Sequence, residues 1–136
     1  MHPPTTAPSL KLRLQARPES ALLLRQRLYL WLDELGASDV EIFGIALAST
    51  EAFANAVEHP NQPTTDMIHI DGSISDGLVA ILVSDSGSWR ECRQREEGGY
   101  GFPLMRHNMD SVEVHSEPKG TTITMQRQLV RPHPLH

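Results

Sequence analysis

Apolar side chains recur along the chain with two different periods, and each period predicts one kind of element. Leu10, Leu12 and Leu14 alternate with polar residues, as in a strand with one buried face. Between Pro18 and Gly36 the apolar residues have helical spacing, which predicts a helix that Pro18 opens and Gly36 ends. Its expected buried positions are Ala21, Leu24, Leu28, Trp31 or Leu32, and Leu35.

A second helix is predicted to follow directly, over residues 40–59. Ser38 or Asp39 can serve as its N-cap, and Pro60 cannot continue it. Apart from one stripe of small and polar residues, the sides of this helix are largely apolar. Most of it is therefore expected to face other parts of the protein.

The remainder of the chain predicts two hairpins, separated by a polar loop and a short helix. The order β-α-α-β-β-α-β-β, with hairpin connections, favours an α+β two-layer sandwich, in which helices cover one face of a mostly antiparallel sheet. A parallel Rossmann sheet would need strands that alternate with helices. The predicted segments are the strand 67–74, the turn 75–77, the strand 78–85, the loop 86–99, the helix 102–109 and the strands 111–116 and 121–128.

Length, charge and cysteine content narrow the function classes. The chain has 136 residues, which favours one domain, expected over residues 9–130 with flexible tails at 1–8 and 131–136. A formal net charge of -5 argues against binding nucleic acid through a basic surface. The single cysteine, Cys92, excludes an internal disulfide and suits a reducing compartment. Without a membrane-length apolar stretch or a signal-peptide pattern, the sequence predicts a cytoplasmic protein that does not bind membranes.

Two carboxylates and an amide lie at helix and strand positions next to apolar residues, which makes them candidate functional groups. Gly44, Glu51 and Asn55 lie on one stripe of the second predicted helix, which is either a solvent-facing stripe or the wall of a cavity. Strand alternation places Asp85 on the same face as Val83. If that face is buried, the carboxylate needs a partner or a ligand, although a strand-ending aspartate also commonly caps its own turn.

Two further segments offer backbone and hydroxyl groups. Gly99 and Gly101 precede the helix that begins at Phe102. Glycines there allow a ligand to approach the backbone, and a helix N-terminus presents N–H groups to anions, although a flexible loop is the simpler interpretation. Thr121 falls on the same face of the last strand as Ile123, where a β-branched residue is favoured in any case.

Taken in order, these segments resemble the GHKL ATPase superfamily, and more closely the bacterial anti-sigma-factor serine kinases of the RsbW/SpoIIAB type. The likeness spans about residues 9–128 and implies the Bergerat (GHKL) ATPase fold. The segment at 48–59, ASTEAFANAVEH, resembles the N-box of this family. The segments at 83–87, VSDSG, and at 99–105, GYGFPLM, resemble its two glycine boxes. The C-terminal end of the family is similar to MDSVEV at 109–114 and GTTI at 120–123.

The resemblance implies a role for each matching residue around the phosphates of ATP. Glu51 would be the catalytic residue, acting as a base or polarising the attacking hydroxyl. Asn55 would bind ATP through the Mg²⁺ ion that bridges the phosphates, because an amide oxygen is a hard ligand that suits this ion. Gly99, Gly101 and Phe102 would lie along the phosphates as part of a lid.

The resemblance also implies how the adenine ring would be bound. Asp85 would accept a hydrogen bond from the adenine amino group. Gly87 would leave room for the ring, and Thr121 would support the contact to Asp85 directly or through water. These three residues complete the set of ATP-binding positions that the likeness predicts.

The implied function is that of an ATP- and Mg²⁺-dependent kinase with two protein partners. It would phosphorylate a serine on a small anti-sigma-factor antagonist of the STAS type, and it would bind and inhibit a sigma factor. Family members often dimerise through the first strand and helix, so residues 10–14 and 22–35 would supply a homodimer surface or simply belong to the core. One alternative is a partner-switching module that binds nucleotide without kinase activity. A histidine-kinase ATPase domain is less favoured, since no dimerisation helix with a phospho-acceptor histidine precedes the core.

Overall fold

The computed structural model describes residues 9–57, 67–85, 101–117 and 120–130. Within these ranges the elements follow the predicted order, and the predicted α+β class is confirmed. The predicted tails and the loop 86–99 lie outside the described residues. The strands are β1 (Leu10–Gln15), β2 (Met67–Ser75), β3 (Leu78–Asp85), β4 (Ser111–Glu117) and β5 (Gly120–Gln128), and the helices are α1 (Ser20–Glu34), α2 (Asp39–Val57) and α3 (Gly101–Asn108).

The five strands form one antiparallel sheet in the order β1-β2-β3-β5-β4. β1 alternates buried and exposed residues as predicted, and β3 and β5 each place a row of aliphatic side chains on the face that the helices cover. The β2–β3 hairpin turns at Asp76 and Gly77, whose φ angles of 50° and 79° are both positive. A two-residue hairpin turn requires this backbone conformation, which Asp-Gly adopts readily.

Helix α1 packs one face onto this sheet. Leu24, Leu28, Trp31 and Leu32 are all buried, so both of the alternative positions, Trp31 and Leu32, point inward. The indole of Trp31 lies directly on β2 at Gly72. A Cβ at Gly72 would stand 2.8 Å from the ring atom Cη2, so this glycine permits a contact that a larger residue would obstruct.

Helix α2 is the central helix of the covering layer, in contact with α1, β3 and α3. Ser38 is its N-cap, and it forms a reciprocal capping box with Glu41: the Glu41 N–H donates to Ser38 Oγ at 3.2 Å, and the Ser38 N–H donates to Glu41 Oε1 at 2.8 Å. Among the described helices only α2 has the length and composition to cross a membrane, with a mean hydropathy of 1.3. Core helices of soluble proteins pass the same test, and 56% of that window is buried inside the protein.

Candidate functional site

The polar stripe of α2 is not the solvent-facing side of that helix. Gly44 and Ala48 are buried, and Glu51 and Asn55 are half-buried. The exposed side of α2 carries apolar residues instead. The side chain of Phe43, for example, is 62% exposed to solvent. This arrangement favours the cavity-wall interpretation of the stripe over the solvent-facing one.

Asn55 has the most informative environment on this stripe. Its Nδ2 atom is buried, and it has no hydrogen-bond partner among the described residues. A buried amide N–H₂ group without an acceptor is costly, and such groups in folded proteins are usually satisfied by water, by an ion or by a ligand. The amide therefore fits a site where phosphate oxygens or metal-bound water would supply the missing partner.

A second set of polar side chains meets at one end of the sheet. Asp85, at the end of β3, pairs directly with Thr121 at the start of β5, and Thr121 pairs on its other side with Ser116 of β4. Thr121 is 1% exposed, and its Oγ1 lies 3.1 Å from Ser116 Oγ. A carboxylate and two hydroxyl groups thus continue the buried face of the sheet, in the row of Val83 and Ile123.

The described part of the glycine-rich segment consists of helix α3, which begins at Gly101. The side chain of Phe102 is buried at 4% exposure, so this residue anchors the first turn of α3. The first turn of α3 can bind a ligand through its backbone N–H groups, because these groups have no acceptors within the helix. Gly87 and Gly99, which were also predicted to bind ATP, lie outside the described residues.

These groups are linked through α2, which packs against both β3 and α3. The arrangement offers a carboxylate and an amide on the central helix, a carboxylate beside a hydroxyl at the sheet end, and a helix N-terminus. An elongated ligand with a hydrogen-bond donor at one end and anionic groups at the other would match this chemistry.

The sequence interpretation missed three polar residues, one on β4 and two on α2. Ser116 could have been found by extending the β4–β5 hairpin register to Thr121. Ser49 is fully buried, and its Oγ has no hydrogen-bond partner within the described ranges, which no sequence pattern indicates. Glu41 is 4% exposed. It could have been found from the Ser-x-x-Glu spacing with Ser38, which is typical of a capping box.

The environment of Glu41 decides its charge. Burial alone would raise the pKa of this carboxyl group. Hydrogen bonds from the N–H groups of Ser38 and Val130 and from the Ser38 hydroxyl, together with the positive charge of Arg127, outweigh burial and lower the pKa below its ordinary value. Glu41 is therefore an anion at neutral pH, although it lies away from solvent.

The sequence matches a family model described as the histidine kinase-like ATPase domain over residues 14–127. The chain belongs to the histidine kinase-like ATPase domain family. This ATPase domain is 30% identical over 135 residues to the anti-sigma F factor of Heyndrickxia coagulans, covering 88% of this chain and 92% of that protein. It is also 30% identical to the anti-sigma F factor of Clostridium perfringens strain SM101, covering 88% of this chain and 96% of the relative.

A solved structure shares the fold of this ATPase domain. It contains the RsbU and RsbW domains of Rv1364c from Mycobacterium tuberculosis, and the superposition has a TM-score of 0.77 at 28% sequence identity. The match covers 95% of this chain but 34% of that longer protein. The predicted GHKL-type fold and the resemblance to anti-sigma-factor kinases of the RsbW type are confirmed at the level of the family.

Proposed function

We propose that this ATPase domain is an anti-sigma factor that binds ATP with Mg²⁺ and transfers the γ-phosphate to a serine of an anti-sigma-factor antagonist. The observation that carries the proposal is the environment of Asn55, which lies one helical turn after Glu51. Its buried Nδ2 has no hydrogen-bond acceptor among the residues that the structure describes. This pair would form the N-box of the ATPase domain family, whose model matches residues 14–127.

The end of the sheet would bind the adenine ring. Asp85 would accept a hydrogen bond from the adenine amino group, and Thr121, its cross-strand neighbour, would support that contact. Gly87, two residues beyond the end of β3, would leave room for the ring. Thr121 is held in place by Ser116, since the two hydroxyl oxygens lie 3.1 Å apart.

The phosphates would lie between α2 and the N-terminus of α3. Asn55 would bind a Mg²⁺ ion, whose charge offsets that of the phosphate oxygens when it is bound. The first-turn N–H groups of α3, at Gly101 and Phe102, would donate to phosphate oxygens, and Gly99 would lie along the phosphates as part of the same lid. These assignments fit a half-buried amide whose Nδ2 has no acceptor in the described ranges, and a helix whose first turn is anchored by a buried phenyl ring.

Glu51 would act on the incoming serine. The serine Oγ attacks the γ-phosphorus, the bond from that phosphorus to the oxygen bridging to the β-phosphate breaks, and ADP leaves with the bridging oxygen. Glu51 would orient the hydroxyl and accept its proton as the new O–P bond forms. A half-buried carboxylate on α2 suits this task, because the helix sets the point from which the side chain projects and burial restricts its conformations.

The protein partners follow from the relatives and from the surface of α1. Proteins named anti-sigma F factors are similar over most of the chain, which supports a sigma factor as one partner and a cytoplasmic location. The outer face of α1 would form a homodimer together with β1, which stands at the edge of the sheet. This face exposes four large apolar side chains, those of Leu22, Leu23, Tyr29 and Leu30.

A paired measurement of binding and phosphotransfer tests the proposal. Wild-type protein and the variants Glu51→Gln and Glu34→Gln would be titrated with ATP in the presence of Mg²⁺, and then assayed for transfer of labelled phosphate to the antagonist. We expect Glu51→Gln to lower the rate of transfer at least about 100-fold with ATP affinity nearly unchanged, because the lost group acts on the hydroxyl. Glu34, exposed on α1, is the matched control and should change neither quantity.

Each other outcome has a definite meaning. If the wild type binds ATP tightly but transfers no phosphate to any antagonist, the domain is a nucleotide-binding partner-switching module and the kinase assignment is wrong. Failure of the wild type to bind ATP refutes the nucleotide site itself. Loss of ATP binding and transfer in equal measure in Glu51→Gln would assign Glu51 to binding.

A further inference from the structure

A polar bridge ties the end of β5 to the C-terminal end of α3, away from the predicted ligand groups. Arg127 Nη1 donates a hydrogen bond to the carbonyl oxygen of Asn108, the last residue of α3, at 3.1 Å. The side chain of Asn108 in turn donates from Nδ2 to the carbonyl oxygen of Leu104 at 2.8 Å. Asn108 is the last residue of this short helix, so its carbonyl group lacks an intrahelical partner, and Arg127 supplies one.

The bridge lies directly on the backbone of α2 at Gly44. A Cβ at this position would stand 2.6 Å from Arg127 Nη1 and 3.0 Å from Asn108 Oδ1. The guanidinium group and the end of α3 therefore occupy the space that any other side chain would fill. Gly44 is buried in the middle of a helix, where glycine is otherwise unfavourable, and this close approach explains its presence.

Gly44 belongs to the same stripe of α2 as Glu51 and Asn55. Seven residues separate Gly44 from Glu51, a rise of about 10 Å along the helix, and the eight residues of α3 are about 12 Å long. Phe102 and Met105, both buried, fix the direction of α3 on the core. With its C-terminal end fixed at Gly44, the position of its first turn relative to the stripe is fixed as well.

Arg127 is itself held by its surroundings. It stands opposite Val79 of β3, in the row of β5 that also contains Thr121. The buried carboxylate of Glu41 attracts its positive charge, and Glu41 Oε2 accepts a hydrogen bond of 2.7 Å from the Val130 N–H, three residues after Arg127. The end of β5 is thereby fastened to the start of α2.

We propose that Arg127 is a positioning residue, which sets the distance between the first turn of α3 and the Glu51–Asn55 stripe by holding Asn108 over Gly44. It touches no part of the predicted ligand. The inference rests on the proposed function, because it takes the first turn of α3 as the phosphate-binding end of an ATP site. Arg127 is then expected to affect the binding of the phosphates and not the binding of the adenine ring.

The test compares ligands that share adenine but differ in their phosphates. Affinities for ATP with Mg²⁺ and for AMP would be measured by competition for wild type, Arg127→Ala and Gln128→Ala. We expect Arg127→Ala to lower the ratio of ATP to AMP affinity about tenfold, because a displaced first turn of α3 would lose about one hydrogen bond to the phosphates, with AMP affinity within about twofold of wild type. Gln128→Ala is a matched control, because Gln128 Nε2 donates an equally long bond of 3.1 Å to a carbonyl oxygen, that of Asp76 in the β2–β3 turn.

Two further variants keep the test decisive. Arg127→Lys retains a cationic donor and should restore most of the ratio. Gly44→Ala favours helix α2 and displaces the guanidinium by its new Cβ, so it should lower the ratio even if Arg127→Ala does not fold.

The possible results separate this inference from the proposed function. A wild type that binds neither nucleotide overturns both. A wild type that binds ATP, while Arg127→Ala and Gly44→Ala keep its ATP to AMP ratio, overturns this inference alone. An equal loss of ATP and AMP affinity in Arg127→Ala, or an equal loss of the ratio in Gln128→Ala, would also overturn it, because the effect would then be a general loss of structure.

Discussion

Asp85 and Thr121 stand directly opposite each other on β3 and β5, at the end of the sheet where the buried row of β5 begins. The same row of β5 ends at Arg127, which holds the C-terminal end of α3. One strand therefore connects the predicted adenine end of the site with the residue that positions the predicted phosphate end. A change at either end of this row is expected to affect a different part of the same ligand.

Replacing Asp85 by asparagine should weaken the binding of adenine nucleotides. The change removes a charged hydrogen-bond acceptor while keeping its size, and loss of such a bond corresponds to about a tenfold to hundredfold decrease in affinity. Because an asparagine amide can also donate to the guanine carbonyl oxygen, the preference for ATP over GTP should shrink. Calorimetric titration with both nucleotides measures the two effects.

Thr121→Val provides the comparison for Asp85→Asn. Valine matches the shape of threonine but cannot approach Ser116 as a hydrogen-bond partner, so we expect a smaller loss, within about tenfold in ATP affinity. A larger effect from Thr121→Val than from Asp85→Asn would show that the hydroxyl, and not the carboxylate, is the main adenine contact.

Replacing Asn55 by alanine should remove the dependence of ATP binding on Mg²⁺. In the wild type we expect tighter ATP binding with Mg²⁺ than with a chelator, because the amide oxygen is a hard ligand for the ion. In Asn55→Ala the two titrations should nearly coincide. Identical Mg²⁺ dependence in variant and wild type would contradict this role, and thermal melts without nucleotide would show whether the variant is folded.

Replacing Ser49 by alanine should leave the fold as stable as before or stabilise it. Ser49 is fully buried, and its Oγ has no hydrogen-bond partner in the described part of the chain. Removing an unsatisfied buried hydroxyl from a helix is expected to raise the free energy of unfolding by up to about 1 kcal/mol. Chemical denaturation of the two proteins measures the difference.

The neighbouring Thr50 supplies a control for the Ser49 prediction. Its Oγ1 donates a hydrogen bond of 2.7 Å to the carbonyl oxygen of Ala46. Thr50→Val keeps the shape of the side chain and removes this bond, so it should not stabilise the protein. A loss of more than about 1 kcal/mol in Ser49→Ala would mean that its hydroxyl has a partner in solution.

The fold could be predicted from the sequence because its signals are local. Alternation in β1, the Asp76–Gly77 turn and the apolar spacing of α1 each follow from periods and turn chemistry that neighbouring residues define. The end of α1 at Gly36 belongs to the same class, since its φ of 86° is a conformation that glycine adopts freely.

The site was predictable only in part, because its remaining features depend on contacts between distant segments. Glu51, Asn55 and Asp85 could be singled out from helical and strand spacing together with the family resemblance, but the spacing left open whether they face solvent or the interior. The bridge from Arg127 to Asn108 joins residues 19 apart on two elements, and it lies over Gly44 on a third. No local periodicity in the sequence predicts such a contact. Gly44 was therefore recognised as a small residue of the stripe, but the reason why a glycine is needed there could not be predicted.

The stability of the fold is expected to depend on pH through Glu41. Its pKa in the folded protein lies below the ordinary value of 4.5, which applies in the unfolded chain. Folding is therefore favoured by the ionised carboxylate: this contribution is complete above about pH 4.5 and is lost as the pH falls through the lower folded-state pKa. The physical source is the set of hydrogen bonds that the anion accepts from Ser38 and Val130.

Glu41→Gln tests this dependence, because glutamine keeps the size of the side chain but never carries the charge. At pH 7 we expect the variant to have a free energy of unfolding about 2 kcal/mol lower than that of wild type, which is the cost of replacing a charged acceptor by an amide. Below pH 4.5 the difference should shrink, because the wild-type carboxyl group becomes protonated too. Glu34→Gln, at an exposed position of α1, is the control for the glutamate-to-glutamine change itself and should have a small effect at pH 7. A difference between Glu41→Gln and wild type that stays constant down to pH 3 would mean that the lost interaction is one of packing and not of charge.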